Sequence, residues 1–176
     1  LLSVMLILCI IIYIGLKFKI ADVIGAFKLP LLEEVVFMKI PLGMENRDGK
    51  CLKLNKSLYG LRQAAHHFYR DIHLILTEKL NFQRSNFDSC LYYKSNQLDG
   101  LILIGLYVDD MLVAANSESV IDEIFQTIGE DMPLQFKEQD NYLGLHIIHT
   151  DDGLSVDCER KIKELLENYK MTDCNP

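Results

Sequence analysis

The apolar positions fall into patterns that change period along the chain. Leu1 to Leu16 is almost wholly apolar and reads as a helix to about Tyr13, with Gly15 as its stop. Lys17 to Val23 then reads as a strand, and Val35 to Ile40, β-branched and aromatic, as another that Pro41 ends. Leu42 to Lys50 is polar, carries Gly43 and Gly49, and reads as a loop. From Leu61 to Leu80 the period becomes helical: Leu61, Ala65, Phe68, Ile72, Ile75, Leu76 and Leu80 share a face, and Asn81 allows a stop. Leu101 to Leu106 and Met111 to Ala115 are apolar runs joined by a short polar tip, which predicts a hairpin. Ser117 can cap a helix running to about Glu130, closed off by Pro133. Tyr142 to His149 and Leu154 to Val156 flank Thr150-Asp151-Asp152-Gly153, a second hairpin with the stronger turn signal. Arg160 to Tyr169 closes the series as an amphipathic helix. This order predicts an α+β fold in one domain over residues 1–176, an antiparallel sheet with helices packed on one face.

Composition adjusts that picture in three places. Apolar residues make up 49% of the 176, enough for a sizeable core. The formal charge of −7 argues against a self-sufficient nucleic-acid binder, so any positive surface has to be local or lie on other sequence. The five cysteines sit at no zinc-ligand spacing and read as reduced thiols of an intracellular protein. A helix over the apolar N-terminus would span only about 24 Å, short of a hydrocarbon core of about 30 Å. The expectation is a buried core helix, with membrane insertion as the competing reading.

Asp109 and Asp110 sit at the tip of the first hairpin, between strands apolar enough to be buried on both faces. Two readings stay open there. Asp is a common turn residue, and a solvated tip carries no cost. Asp22, at the end of the predicted strand Lys17 to Val23, favours the other. If the two elements are neighbours, three carboxylates crowd one sheet edge, and such a cluster recruits a cation. Hard oxygen ligands suit Mg²⁺ or Mn²⁺, and two such ions can activate an attacking hydroxyl and stabilise a leaving group. Arg62, His66, His67 and Arg70 form a locally basic helix face, read as solvated, with phosphate contact as the alternative. His146 and His149 are expected on opposite strand faces rather than as a metal pair.

Several segments together resemble the reverse transcriptases of copia-type retrotransposons. Tyr107-Val108-Asp109-Asp110 is similar to their metal-binding box, and Asp22-Val23-Ile24-Gly25-Ala26-Phe27 to their first carboxylate motif. Ser57-Leu58-Tyr59-Gly60-Leu61-Arg62-Gln63-Ala64 resembles the signature between those motifs. Glu33 to Met38, Asn141-Tyr142-Leu143-Gly144 and Met171-Thr172-Asp173-Cys174 follow in family order, so the likeness runs from about residue 16 onward. The resemblance implies a palm fold and an RNA-directed DNA polymerase of a Pol polyprotein, with Mg²⁺ (or Mn²⁺) held by Asp22, Asp109 and Asp110. It implies that the amides of Val23, Ile24, Gly25 and Ala26 meet the triphosphate. Phe27 would exclude a 2′-hydroxyl, and Gln63 would contact the nucleotide. Tyr142, Leu143 and Gly144 would grip the primer. Tyr107 would pack at the hairpin base or touch the primer end.

The implied partners are template, primer, dNTP and the remaining Pol segments, in a cytoplasmic virus-like particle. By the same resemblance, fingers sequence should precede Leu1, and thumb and ribonuclease H sequence should follow Pro176. The surroundings depart from the family pattern at Lys28-Leu29-Pro30, at Ile20-Ala21 and at Ala65-His66. A decayed, inactive remnant is therefore the alternative to a working enzyme.

Overall fold

The fold is described from a computed structural model over residues 2–44, 49–137, 141–150 and 153–173, with the backbone alone for Asn141 and His149. In chain order the helices are α1 (Leu2–Ile14), α2 (Ala64–Leu74), α3 (Glu118–Gly129) and α4 (Glu159–Asn168). The strands are β1 (Lys17–Val23), β2 (Leu31–Lys39), β3 (Cys51–Lys56), β4 (Gln83–Arg84), β5 (Leu91–Asn96) and β6 (Gly100–Tyr107). They continue with β7 (Asp110–Ala115), β8 (Leu134–Lys137), β9 (Asn141–Tyr142), β10 (Leu145–Thr150) and β11 (Gly153–Asp157). The central sheet has the order β4-β5-β6-β7-β1-β8, and every pairing in it is antiparallel. β2 and β3 make a separate ribbon, and β9 to β11 a third small sheet.

The central strands are apolar on both faces because both are covered. On one side Ala21, Val23, Ile104, Leu106, Met111 and Val113 pack against Phe68 and Ile72 of α2 and Ile121, Phe125 and Ile128 of α3. On the other, Phe18, Ile20, Leu103, Leu112 and Ala114 pack against Val4, Ile7, Leu8 and Ile11 of α1, with Tyr142 and Ile147 from the small sheet. The expectation of helices on one face is thus corrected. A sheet with two apolar faces needs two covers, and α1 supplies the second.

That helix is not wholly buried either. Its inner stripe is covered, while Leu2, Leu6 and Tyr13 are exposed. Among the described residues no helix is long and apolar enough to cross a membrane. Close approach of α1 depends on Gly105 of β6, where an added Cβ would lie 2.8 Å from the tip of Ile7.

Other differences are local. α2 starts at Ala64, not Leu61, so Ala64 enters the core and Ala65 faces solvent. It passes into a π-helical turn over Ile75–Lys79, where the Leu80 amide donates to the Ile75 carbonyl at 3.1 Å. Asn81, at φ 58°, then ends the run in the left-handed conformation. β3, β4, β5 and β8 are strands the sequence pattern left unassigned. The Asp151-Asp152 turn and Cys174 lie outside the described residues. Ser117 does cap α3, its side chain accepting from the Val120 amide.

Candidate active site

Asp22 is the penultimate residue of β1 and Asp110 opens β7, and the register of the two strands sets them directly opposite each other. Both project on the α1 side, in phase with Ile20 and Leu112. Asp109 occupies the two-residue tip that joins β6 to β7, since Tyr107 pairs with Asp110. Its carbonyl accepts from the Val23 amide at 2.9 Å, which ties the tip to the end of β1. The result is a cluster: one carboxylate oxygen from each of Asp22, Asp109 and Asp110 lies within 4.8 Å of the others, all half-buried. Oxygens at that spacing can share a divalent ion at ordinary ligand distances of about 2–2.6 Å. The three side chains therefore fit a hard cation by donor type and by geometry.

A fourth residue completes the cluster. Lys137, the last residue of β8, reaches across β1 with its ammonium on Asp110 and 3.3 Å from Asp22. Partial burial favours the neutral amine, but the two carboxylates outweigh it and hold the Lys137 pKa above the usual lysine range. Nothing in the pattern of apolar residues marks Lys137. Its strand is four residues long and follows a proline, and only its pairing with β1 gives it a role.

The tip itself is strained. Val108, its first central residue, has φ 58°, a region where Gly is usual and a β-branched residue is an outlier. A second tip of the same length lies nearby. Tyr142 pairs with Leu145, so Leu143 and Gly144 form the turn, with φ 55° and 78°. Positive φ at both centres is the pattern of a type I′ turn, and Gly144 takes its second position without strain. The second tip and the two residues flanking the first, Tyr107 and Asp110, line one cleft of about 610 Å³, which His146, Arg160, Lys161 and Glu164 also border. The Tyr107 ring is 54% exposed there, so it is part of the cleft wall rather than packing at the hairpin base.

Tyr142 is buried, its hydroxyl donating toward the Gly105 carbonyl at 3.4 Å, and burial followed by the nearby Asp110 pushes its pKa up. Its side chain anchors the second tip and does not reach the cleft surface. After β1 the chain turns through Gly25 into a 3-10 turn over Ala26–Lys28 that packs beside α2. The amides of Val23 and Ile24 are already engaged, by the carbonyls of Asp109 and Pro133. Phe27 is half-buried and meets the rings of Tyr59 and Phe68 edge-on, with centroids 5.2 and 6.2 Å away. Gln63 sits half-buried at the N-terminus of α2.

The basic face of α2 does not persist as a unit. His67 is buried, and Arg70 pairs with Glu33 of β2 and with Asp71. His146 lies 3.5 Å from Asp157 on β11.

Comparison with known proteins supplies an independent reading. A family described as "Reverse transcriptase (RNA-dependent DNA polymerase)" matches residues 1–176, including α1, which the motif likeness left out. The Retrovirus-related Pol polyprotein from transposon TNT 1-94 of Nicotiana tabacum is 30% identical over 160 residues, covering 88% of this chain and 12% of the polyprotein. A putative transposon Ty5-1 protein of Saccharomyces cerevisiae is 33% identical over 135 residues, 75% of this chain and 43% of that protein. The Retrovirus-related Pol polyprotein from transposon RE1 of Arabidopsis thaliana is 27% identical over 158 residues, 88% of this chain and 11% of its own length. The chain thus spans from about a ninth to under half of the length of these relatives.

Proposed function

The chain belongs to the reverse transcriptase (RNA-dependent DNA polymerase) family, on its copia-type branch, and from that premise we propose that it is the catalytic palm of a transposon Pol polyprotein. The observation that carries the proposal is the convergence of Asp22, Asp109 and Asp110 from adjoining strands, with ligand oxygens within 4.8 Å. Mg²⁺ or Mn²⁺ bound there would activate the primer 3′-hydroxyl and stabilise the departing pyrophosphate.

The chain's own residues do the positioning. Asp22 and Asp110 face each other across paired strands, so the sheet fixes their separation, while Asp109 is set by the strained tip. With Val23 and Ile24 already donating within the protein and Ala26 fully buried, triphosphate oxygens fall to the amide of Gly25. Phe27, held between Tyr59 and Phe68, presents a fixed ring that leaves no room for a 2′-hydroxyl and so selects deoxynucleotides. Gln63 contacts the nucleotide from the start of α2. Leu143 and Gly144 offer turn backbone to the primer strand, and Tyr142 holds that turn from below. Template, primer and dNTP are the partners, together with the remaining Pol segments, in a cytoplasmic virus-like particle.

A second reading, a folded remnant without activity, draws on Lys28-Leu29-Pro30 and Ala65-His66, where the family pattern is lost. Two measurements separate the readings. Calorimetry with Mn²⁺ should give a saturable isotherm for this chain and one at least about tenfold weaker for Asp109→Asn, which loses a ligand. Identical weak isotherms would remove the metal centre. Primer extension by a whole Pol polyprotein carrying this segment should fall more than about a hundredfold with the same substitution. A polyprotein inactive before substitution, despite an intact metal isotherm, would favour the remnant.

A further inference from the structure

We propose that Lys137 is a built-in counter-cation, occupying the carboxylate cluster in the free protein and leaving it when a divalent ion binds. The inference rests on the metal-centre reading above. Its starting point is charge. Asp22, Asp109 and Asp110 bring three negative charges within 4.8 Å, at half-buried positions where water screens them incompletely. Such a cluster either takes up protons or takes up a cation. The protein supplies its own: the Lys137 ammonium contacts Asp110 and lies 3.3 Å from Asp22, bridging residues of two different strands.

The position of Lys137 suits it to a reversible role. It ends β8, the edge strand of the sheet, and its side chain is 39% exposed, so the ammonium can swing to solvent without disturbing the core. Lysine is also the cation for such a role, being a flexible point charge that holds carboxylates without the rigid fork of arginine. While it is in place its single positive charge offsets part of the repulsion between Asp22 and Asp110, the pair that faces across β1 and β7. A divalent ion would draw on the same two carboxylates, and its charge would repel an ammonium held in contact with them. Metal binding is then an exchange of one cation for another, weakened by the cost of releasing the lysine. The same contact keeps the metal-free hairpin closed against β8, so the site stays assembled between turnovers.

The exchange predicts two observables that need no polymerase activity. In this chain, Lys137→Met should bind Mn²⁺ about tenfold more tightly by calorimetry, since two ion pairs no longer compete. Its metal-free melting temperature should fall, while Lys137→Arg, whose fork holds carboxylates more firmly, should melt no lower than the parent and bind Mn²⁺ no more tightly. In the unsubstituted chain, saturating Mg²⁺ should raise the acetylation of Lys137 by an amine-reactive ester severalfold, with Lys94 as the internal reference. That second measurement stands even if Lys137→Met folds poorly.

Metal binding to the parent chain with no change in Lys137 reactivity would overturn the proposal, as would equal Mn²⁺ affinity in parent and Lys137→Met. Absence of saturable binding in every form, Lys137→Met included, would instead strike down the metal centre itself.

Discussion

Strain at single residues marks the site more sharply than any patch of charge does. Val108 and Leu143 both hold positive φ on two-residue tips; Leu143 lines the cleft, and Val108 lies between Tyr107 and Asp110, which line it too. A left-handed φ at a non-glycine residue costs on the order of 1–3 kcal/mol. Glycine would relieve that cost at Val108, where the side chain is 50% exposed and little burial is lost. The extra freedom of the unfolded chain returns about 0.5–1 kcal/mol. Val108→Gly should therefore stabilise the fold by about 1 kcal/mol, raising the melting temperature by about 2–4 °C. A thermal melt checks this, and a lower melting temperature would show that the tip is not strained as its dihedral indicates. Sequence revealed Asp109 and Asp110 as an acidic tip but not the strain, because Val108 is an ordinary strand residue until its turn position is known. Tyr142 shows the opposite case. Its place in a motif predicted contact with a primer, whereas its burial under Gly105 gives it an anchoring role.

At the scale of elements, α1 is where pattern and packing diverge most. An apolar run of this kind fits a buried helix or a membrane segment, and only the docked geometry reveals one covered stripe with an exposed back. That geometry makes Leu8→Ala costly, about 2–5 kcal/mol for a side chain 1% exposed in the core. Leu2→Ala, on the outer face, should stay within about 0.5 kcal/mol in the same urea titration. Equal costs at the two positions would mean that α1 is not docked as described.

The start of α1 is also pinned by Ser3, whose hydroxyl donates to Asp88 in the turn before β5, while the Cys90 amide donates to the same carboxylate at 2.8 Å. The two bonds hold the Asp88 pKa below its ordinary value near 3.8. A depressed folded pKa stabilises above the unfolded value and loses that stabilisation as pH falls through the folded one. Asp88→Asn should thus cost about 1 kcal/mol at pH 7, and its difference from the parent should shrink once the pH drops below about 4. A difference that stays constant across that range in denaturant titrations would rule out the carboxylate bonds as its source. The strands missed in the sequence were missed for a physical reason. β4 and β8 are two and four residues long, too short to show a period, and β5 mixes Tyr92 with polar neighbours. β3 does alternate, with Leu52 and Leu54 on one side, but only two apolar residues carry the signal.

Taken as a whole molecule, the chain is acidic yet its cleft is not uniformly so. The formal charge is −7, while Arg160 and Lys161 of α4, both within 4.0 Å of Glu164, and His146 of β10 border the space beside Asp110. Fold class and the three carboxylates were legible in the sequence because each rests on local pattern or on a motif. This basic rim was not, because it comes from elements distant in sequence from the hairpin they face. By exchanging Glu164 for phosphate, Arg160 and Lys161 can neutralise about two phosphates, and the slope of log affinity against log salt is about −0.9 per phosphate neutralised. Binding of a short primer-template by this chain should therefore be weak, with a slope near −2 that the global acidity does not abolish. Replacing both Arg160 and Lys161 with Ala should bring that slope to near zero and lower affinity similarly for different sequences, since phosphate contacts carry no base information. Fluorescence anisotropy across a salt series makes the test. An unchanged slope in the double variant would place the nucleic acid on another face, and with it the primer path past Leu143 and Gly144 would fall. A slope that drops by about two while Mn²⁺ affinity stays intact would separate the grip on the strand from the grip on the metal, and assign the first to α4.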